Sequence, residues 1–384
     1  MANAVRRPPS KRAMSELANA EKAADTKAPV IKRHRDLGPP NPISKRTRGA
    51  QLREAVDHTP KPSSSSQSTD HTPRTYVNYN PCMMKHLRAS EERSRASPAF
   101  LAKQRDINEK MRSILVDWLV DVHLGFHLLS ETLFLAVNLM DRYLDAVQVR
   151  RDRLQLVGCA AMFLAAKYEE ICAPTVADFA FVTDYAYPTE EILLMEQHML
   201  GTLGFQLTSP TAHVFLERLA KGSGLASSLQ KPQTDSDCCL ALGTDPVRRA
   251  KVDLLASFML ELALTKHVMS NYLPSMLAAA AFCLALNTIR DDQNEHSDIS
   301  IPAWLVWERD FEDISSYTWE QLLPCMRDLG ELQRLAAKDK LQSVNHKYAR
   351  EKFGAVSNIQ PWPYCIWANM DERQGAWVHP VCRR

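Results

Sequence analysis

The side chains best placed to do chemistry in this sequence are charges set inside apolar runs. Arg112, Asp117 and Asp121 interrupt residues 107–122, a stretch otherwise apolar on nearly every face of a helix. Arginine is seldom buried without an acidic partner. An acid on a neighbouring helix should therefore meet Arg112, and Asp141, within Asn138-Leu-Met-Asp141-Arg142-Tyr143-Leu144, is the natural candidate. A second group, Lys167, Glu169 and Glu170, closes the run 153–170. Lys167 has the placement of a helix-end cation, favourable against the helix dipole. None of these charges forms a catalytic constellation. The sequence has no phosphate loop, no Gly-x-Gly-x-x-Gly after a strand, no His-Glu-x-x-His and no nucleophile elbow. Gly201 and Gly204 fit a helix C-cap. The nine cysteines include no Cys-x-x-Cys, Cys238 and Cys239 are adjacent, and Cys159 and Cys283 lie in apolar runs. That usage suits reduced thiols in the cytosol or nucleus, and His and Cys never cluster at zinc-ligand spacing. Neither a metal nor another cofactor is expected.

The elements that must position these charges are helices. From about Tyr76 apolar residues recur at three- and four-residue spacings, broken at Pro174, Pro188 and Ser209-Pro210, with no strand alternation. Helices are expected over approximately 76–93, 104–126, 130–147, 153–169, 175–184 and 189–203. A second set follows over approximately 211–220, 248–266, 272–288, 302–312 and 318–342. The first run should lie at the centre of a bundle. Gly158, Ala160, Ala161, Ala165 and Ala166 should let the helix that carries them approach its neighbours closely.

Length and charge frame this body. The 384 residues allow two domains plus extensions, and the net charge of +2 is small. In the first 75 or so residues Lys and Arg outnumber Asp and Glu roughly two to one. That segment is rich in Pro and Ser, buries little, and is expected to be disordered. Its basic clusters, Arg6-Arg7 with Lys11-Arg12, Lys32-Arg33-His34-Arg35 and Lys45-Arg46-Thr47-Arg48, read either as nuclear import signals or as a solvated tail. Thr59-Pro60 and Thr72-Pro73 offer Thr59 and Thr72 to proline-directed phosphorylation. There is no secretory signal, and the longest apolar run, 276–286, is about half of what a membrane span needs. A soluble protein of nucleus and cytoplasm is expected. Residues 222–246 and 290–300 read as exposed insertions. In the tail, Trp362, Trp367 and Trp377 either dock on the second helical domain or form a partner site, docking being favoured.

Met111-Arg112-Ser-Ile-Leu-Val-Asp-Trp-Leu closely resembles the opening helix motif of the cyclin box. Glu131-Thr-Leu, Asn138 to Leu144, Leu154-Gln155-Leu156, Ala165-Ala-Lys-Tyr-Glu-Glu170, Met195-Glu196 and Leu203-Gly-Phe205 follow in the family's order and spacing. The resemblance runs from about residue 76 to 357 and is nearest the mitotic A and B classes. Val122-His123 favours B. It implies an all-α protein, a tandem pair of five-helix cyclin folds preceded by a short N-terminal helix and a disordered basic tail. The boundaries are then 1–75 for the tail, 76–208 for the helix with the first cyclin box, 209–344 for the second fold and 345–384 for the C-terminal tail. Lys347-Tyr348 and Lys352-Phe353 resemble the segment that closes the family fold.

The resemblance also implies a non-catalytic subunit that binds and activates a cyclin-dependent Ser/Thr kinase and controls passage through G2/M. Arg112, Asp141, Leu156, Lys167 and Glu196 match positions characteristic of the box. Arg112 and Asp141 would be a structural ion pair, and Lys167, Glu196 and Phe205 would meet the kinase's regulatory helix. Met111, Ile114, Leu115, Trp118, Leu154 and Gln155 would border a shallow groove for Arg-x-Leu peptides of substrates and inhibitors. Asp121 stands where most relatives have Glu and would meet the peptide's Arg. The implied assembly is a heterodimer with the kinase, without direct nucleic-acid or membrane contact. A tandem cyclin-fold transcription regulator or scaffold is the alternative. The expected destruction signal is out of register at Arg33-His-Arg35-Asp-Leu37, and there is no Lys-Glu-Asn triplet.

Overall fold

Asn108 starts the helix on which the molecule is organised. Its side chain accepts from the Met111 N–H at 3.0 Å, a standard N-cap. The computed structural model describes residues 74–222, 246–291, 307 and 311–362. Its elements in chain order begin with α1 (Arg74–Glu91), α2 (Glu109–Phe126), α3 (Ser130–Ala146), α4 (Leu154–Glu169), α5 (Val176–Val182) and α6 (Thr189–Thr202). After the 207–211 linker come α7 (Ala212–Gly222), α8 (Pro246–Thr265), α9 (Pro274–Asp291), α10 (Glu312–Ser315), α11 (Trp319–Ala336) and α12 (Ser343–Tyr348). Short 3-10 turns fill several junctions, and no strand occurs among the described residues.

Two bundles follow one another, each built around a helix without a polar face. In the first, α4 buries every residue from Leu154 to Ala166 and packs against α2, α3 and α6. In the second, α9 buries Ala278 to Leu286 and packs against α7, α8 and α11. Gly158 shows why α4 needs small residues. A Cβ there would lie 2.8 Å from Leu115 Cδ1 of α2, closer than real Cβ contacts come.

Two boundaries differ from expectation for identifiable reasons. The chain is not helical from 104, because Gln104 caps the far end of α3. Its Nε2 donates to the carbonyls of Leu144 and Val147, and its Oε1 accepts from Val149 N at 3.0 Å. The helix expected to reach 342 stops at Ala336, where Gln342 Nε2 takes the Ala336 carbonyl at 2.8 Å. Of the helix expected over 302–312, only Trp307, Phe311 and the start of α10 are described. Trp307 is buried, stacked on Phe311 with ring centroids 5.4 Å apart. The insertions at 222–246 and 290–300 lie almost wholly outside the described residues, and Trp367 and Trp377 entirely so, whereas Trp362 is buried.

The bundles are joined by polar contacts. Glu91 at the end of α1 accepts from Ser275 N at 2.9 Å and Ser275 Oγ at 2.8 Å, capping α9, so the N-terminal helix packs on the second bundle. Glu131 of α3 takes Thr211 Oγ1 at 2.8 Å and His213 Nδ1 at 3.0 Å. Finally α12 lies across α2 and α8. Lys347 and Tyr348 reach the buried Glu261 at 2.5 and 2.8 Å.

Candidate functional site

Arg112 lies beneath the surface. Its Nε and Nη2 form a two-point bridge to Asp141 at 2.7 and 2.6 Å, and its Nη1 donates to the Leu264 carbonyl at 2.9 Å. The pair expected from sequence is thus made, and its third bond reaches the second bundle. With these three contacts made and the arginine buried, the group positions helices across the two bundles.

The face around the end of α4 is different. Lys167, 43% exposed, pairs with Glu196 of α6, 8% exposed, and its ammonium sits 4.4 Å from the Phe163 ring centre. Glu196 therefore holds the ammonium of a lysine whose side chain is nearly half exposed. Glu170 has a structural task. It accepts from Leu129 N at 2.7 Å and from Thr132 Oγ1, fastening the end of α4 to the start of α3. Burial, with Glu131 and Glu170 nearby, pushes the Glu169 carboxyl above its ordinary range.

Beyond α6 the chain turns through two successive left-handed residues, Gly204 (φ 59°) and Phe205 (φ 59°). That conformation is costly for a non-glycine residue, about 1 kcal/mol or more. Here it is fixed by Phe205 N donating to the Leu200 carbonyl at 3.0 Å, and it leaves the phenyl ring 73% exposed. Tyr168, Leu193 and Leu194 are also exposed, and Ile171 is fully so. Scattered exposed apolar residues need no explanation, but several on and just beyond two helices packed together make a candidate interaction surface. Of the three residues singled out in the sequence, Lys167 is paired with Glu196 and Phe205 is exposed. The exposure of Ile171 was not legible, for no periodicity signals a residue in the turn after a helix.

The second candidate region lies on α2 and the start of α4. Leu115, Trp118, Leu154 and Gln155 are buried, whereas Met111, Ile114 and Asp121 are half-buried. Of this set, Met111, Ile114 and Asp121 are the ones that reach the surface. Leu115 is interior, its methyls held against Gly158. Gln155 Nε2 and Oε1 and Trp118 Nε1 are buried without a hydrogen-bond partner among the described residues. Beside this region Asp117 accepts from Ser343 N at 3.0 Å and Ser343 Oγ at 2.9 Å. Burial, reinforced by Asp121 and Asp339, raises its carboxyl to about 6.

No group of three metal-ligating side chains occurs among the described residues, and no described helix is long and apolar enough to cross a membrane. Thr59, Thr72 and the N-terminal basic clusters lie outside the described residues.

Two family models match the chain consecutively, the cyclin N-terminal domain over residues 82–208 and the cyclin C-terminal domain over 210–361. Cyclin-B2-1 of Oryza sativa subsp. japonica is 39% identical over 279 residues, 73% of this chain and 58% of its own length. The G2/mitotic-specific cyclin-1 of Medicago sativa subsp. varia is 37% identical over 294 residues, 77% of this chain and 60% of its own. The chain thus spans about six-tenths of the length of the curated relatives it matches. Among solved structures, a viral cyclin from herpesvirus saimiri aligns over 70% of this chain and 99% of its own at 18% identity, with a TM-score of 0.49.

Proposed function

The chain belongs to the cyclin family, within its mitotic B type, and on that premise we propose that it binds and activates a cyclin-dependent Ser/Thr kinase at G2/M. It does so as a regulatory subunit with no catalytic group of its own. The observation that carries this function is the face formed by Lys167, Glu196 and Phe205: a half-exposed lysine held by a buried glutamate, beside an aromatic ring projected by a strained turn. The lysine can cap the free carbonyls at the end of a partner helix. Phe205, Tyr168 and Ile171 supply apolar area around it.

Activation is then a shift of population. A kinase transfers phosphoryl groups only when its Lys–Glu ion pair and activation loop are in place. A partner that binds only the conformation with the regulatory helix turned inward favours that state. Moving the balance from about 1:99 to 99:1 requires roughly 5.5 kcal/mol of differential binding. Protein interfaces of ordinary size supply that much.

Selection of substrates belongs to the groove. Met111 and Ile114 offer apolar contact, Asp121 a carboxylate for an arginine, and Gln155 an amide for a peptide backbone. Asp121 is one methylene shorter than Glu, which favours a closer or differently angled arginine. The working assembly is a heterodimer with the kinase, and the basic clusters would serve nuclear import.

Ile171→Asp should test the face directly. It puts a charge on a fully exposed side chain and leaves the core untouched. Pull-down of a cyclin-dependent kinase by the variant is expected to fall at least tenfold with unchanged helical circular dichroism. Undiminished capture would place the interface elsewhere.

A further inference from the structure

A cavity of about 120 Å³ lies where the two bundles meet. Phe134 and Val137 of α3, Leu260 and Leu264 of α8, and Phe100 and Met269 supply its apolar walls. An apolar cavity of roughly 150 Å³ stays dry and holds benzene. A space of this size and lining therefore suits a single six-membered ring or an aliphatic chain of similar bulk. Most polar groups of the lining are already engaged. Arg112 is bridged to Asp141 and Lys266 is paired with Asp339. Thr211 donates to Glu131, Tyr272 to Asp328 and Asn138 to the Ser94 carbonyl. Two groups are left. Arg95, half-buried, has no carboxylate partner among the described residues. Its Nη1 donates to the carbonyls of Ser270 and Tyr272 at 3.4 Å each, the long end of hydrogen bonding. Glu91, one turn back, acts on it only through space, its oxygens being committed to Ser275. The Ser270 hydroxyl is buried and makes no hydrogen bond among the described residues, which is costly for a polar group.

A guanidinium and a hydroxyl thus stand together beside an apolar space, for Arg95 reaches the backbone of Ser270 itself. We propose that this cavity binds a small organic carboxylate, a single ring or a chain of similar bulk bearing one carboxyl group. The apolar part fills the space between α3 and α8. The carboxylate accepts from Arg95 and from the Ser270 hydroxyl, a charge-assisted arrangement stronger than one between neutral groups. A neutral ligand leaves the guanidinium unanswered, and a cation meets it with like charge. Because the walls come from both bundles, the ligand binds their docked arrangement and strengthens it by mass action. The cavity shares no residue with the Lys167–Glu196 face, so the site is additional to the kinase-binding function.

Benzoate is the probe, with benzyl alcohol as its neutral counterpart. Binding of each to the full chain is followed by saturation-transfer NMR and by thermal scans at matched ionic strength. A ligand of about nine heavy atoms is expected to bind with a Kd on the order of 1 mM. At about 10 mM, benzoate then favours the folded state about tenfold and raises the melting temperature by a few degrees. Arg95→Met keeps the stem and removes the charge. It should weaken benzoate about fivefold and leave benzyl alcohol unchanged. Ala263→Leu, folded by circular dichroism, fills the cavity and should abolish the binding of both. Equal affinity of wild type for benzoate and benzyl alcohol, or of wild type and Arg95→Met for benzoate, would overturn the carboxylate assignment. Benzoate binding that survives Ala263→Leu would place it elsewhere on the molecule. No binding to wild type would overturn the site itself.

Discussion

Asp117 shows how much a single carboxylate on α2 is asked to do. Both of its oxygens are committed to Ser343, and burial with Asp121 and Asp339 nearby raises its carboxyl to about 6. A folded-state value above the unfolded one means that the native protein binds the proton more readily. Stability therefore falls as pH rises from about 4 through 6. Asp117→Asn keeps an acceptor for Ser343 N and turns a donor toward the Ser343 hydroxyl. Its stability relative to wild type should climb across that window, by an amount on the order of 1 kcal/mol, read as a growing difference in melting temperature. A pH-independent difference in thermal scans would contradict this. Arg112–Asp141 was legible in the sequence because a buried arginine demands an acid and a matching motif supplied one. Asp117–Ser343 was not, since serine makes no such demand and the partners are 226 residues apart. Gln155 was legible only through resemblance, for no pattern shows that an amide is buried unpaired.

At the scale of the element, glycine means opposite things in α4 and α6. Gly158→Ala gains about 1 kcal/mol of helix propensity, but its Cβ would meet fully buried Leu115 at 2.8 Å. Overpacking of that kind costs about 1–3 kcal/mol. The variant should melt a few degrees lower. Gly201→Ala in α6 meets nothing within 4 Å and should melt slightly higher. Differential scanning calorimetry of the pair would decide, and stabilisation by both would mean that the α2–α4 approach is looser than described. The helices and the small-residue stripe of α4 were legible because apolar spacing and residue volume are local properties. The ends of α2 and α11 were not, because side-chain amides without a pattern of their own, Gln104 capping α3 and Gln342 capping α11, set where the chain stops being helical.

Across the whole molecule, the two bundles are held by buried charge as well as apolar area. Lys347 and Glu261 are 1% and 0% exposed, and Tyr348 donates to the same carboxylate oxygen; burial, with that carboxylate beside it, pushes its phenol well above the ordinary range. Breaking such a pair costs about 3–5 kcal/mol, whereas replacing both members by apolar groups costs much less. Lys347→Met should thus lower the urea midpoint substantially, and Lys347→Met/Glu261→Leu should recover most of the loss. A single variant as stable as wild type would show that α12 contributes little to closing the fold. The tandem architecture was legible from the first bundle's motifs, and the second only faintly, through the small residues of α9. That α1 packs on the second bundle was not, because Glu91–Ser275 is a long-range cap with no local signature. The central claim is that the Lys167–Glu196 face switches a kinase on. Its most direct test is the rate at which a purified cyclin-dependent kinase phosphorylates a Ser-Pro peptide as this chain is added. Wild type should raise the rate saturably by two orders of magnitude or more, and Lys167→Ala/Glu196→Ala, shown to be folded, should lose at least nine-tenths of that effect. Full activation by the double variant would contradict the account.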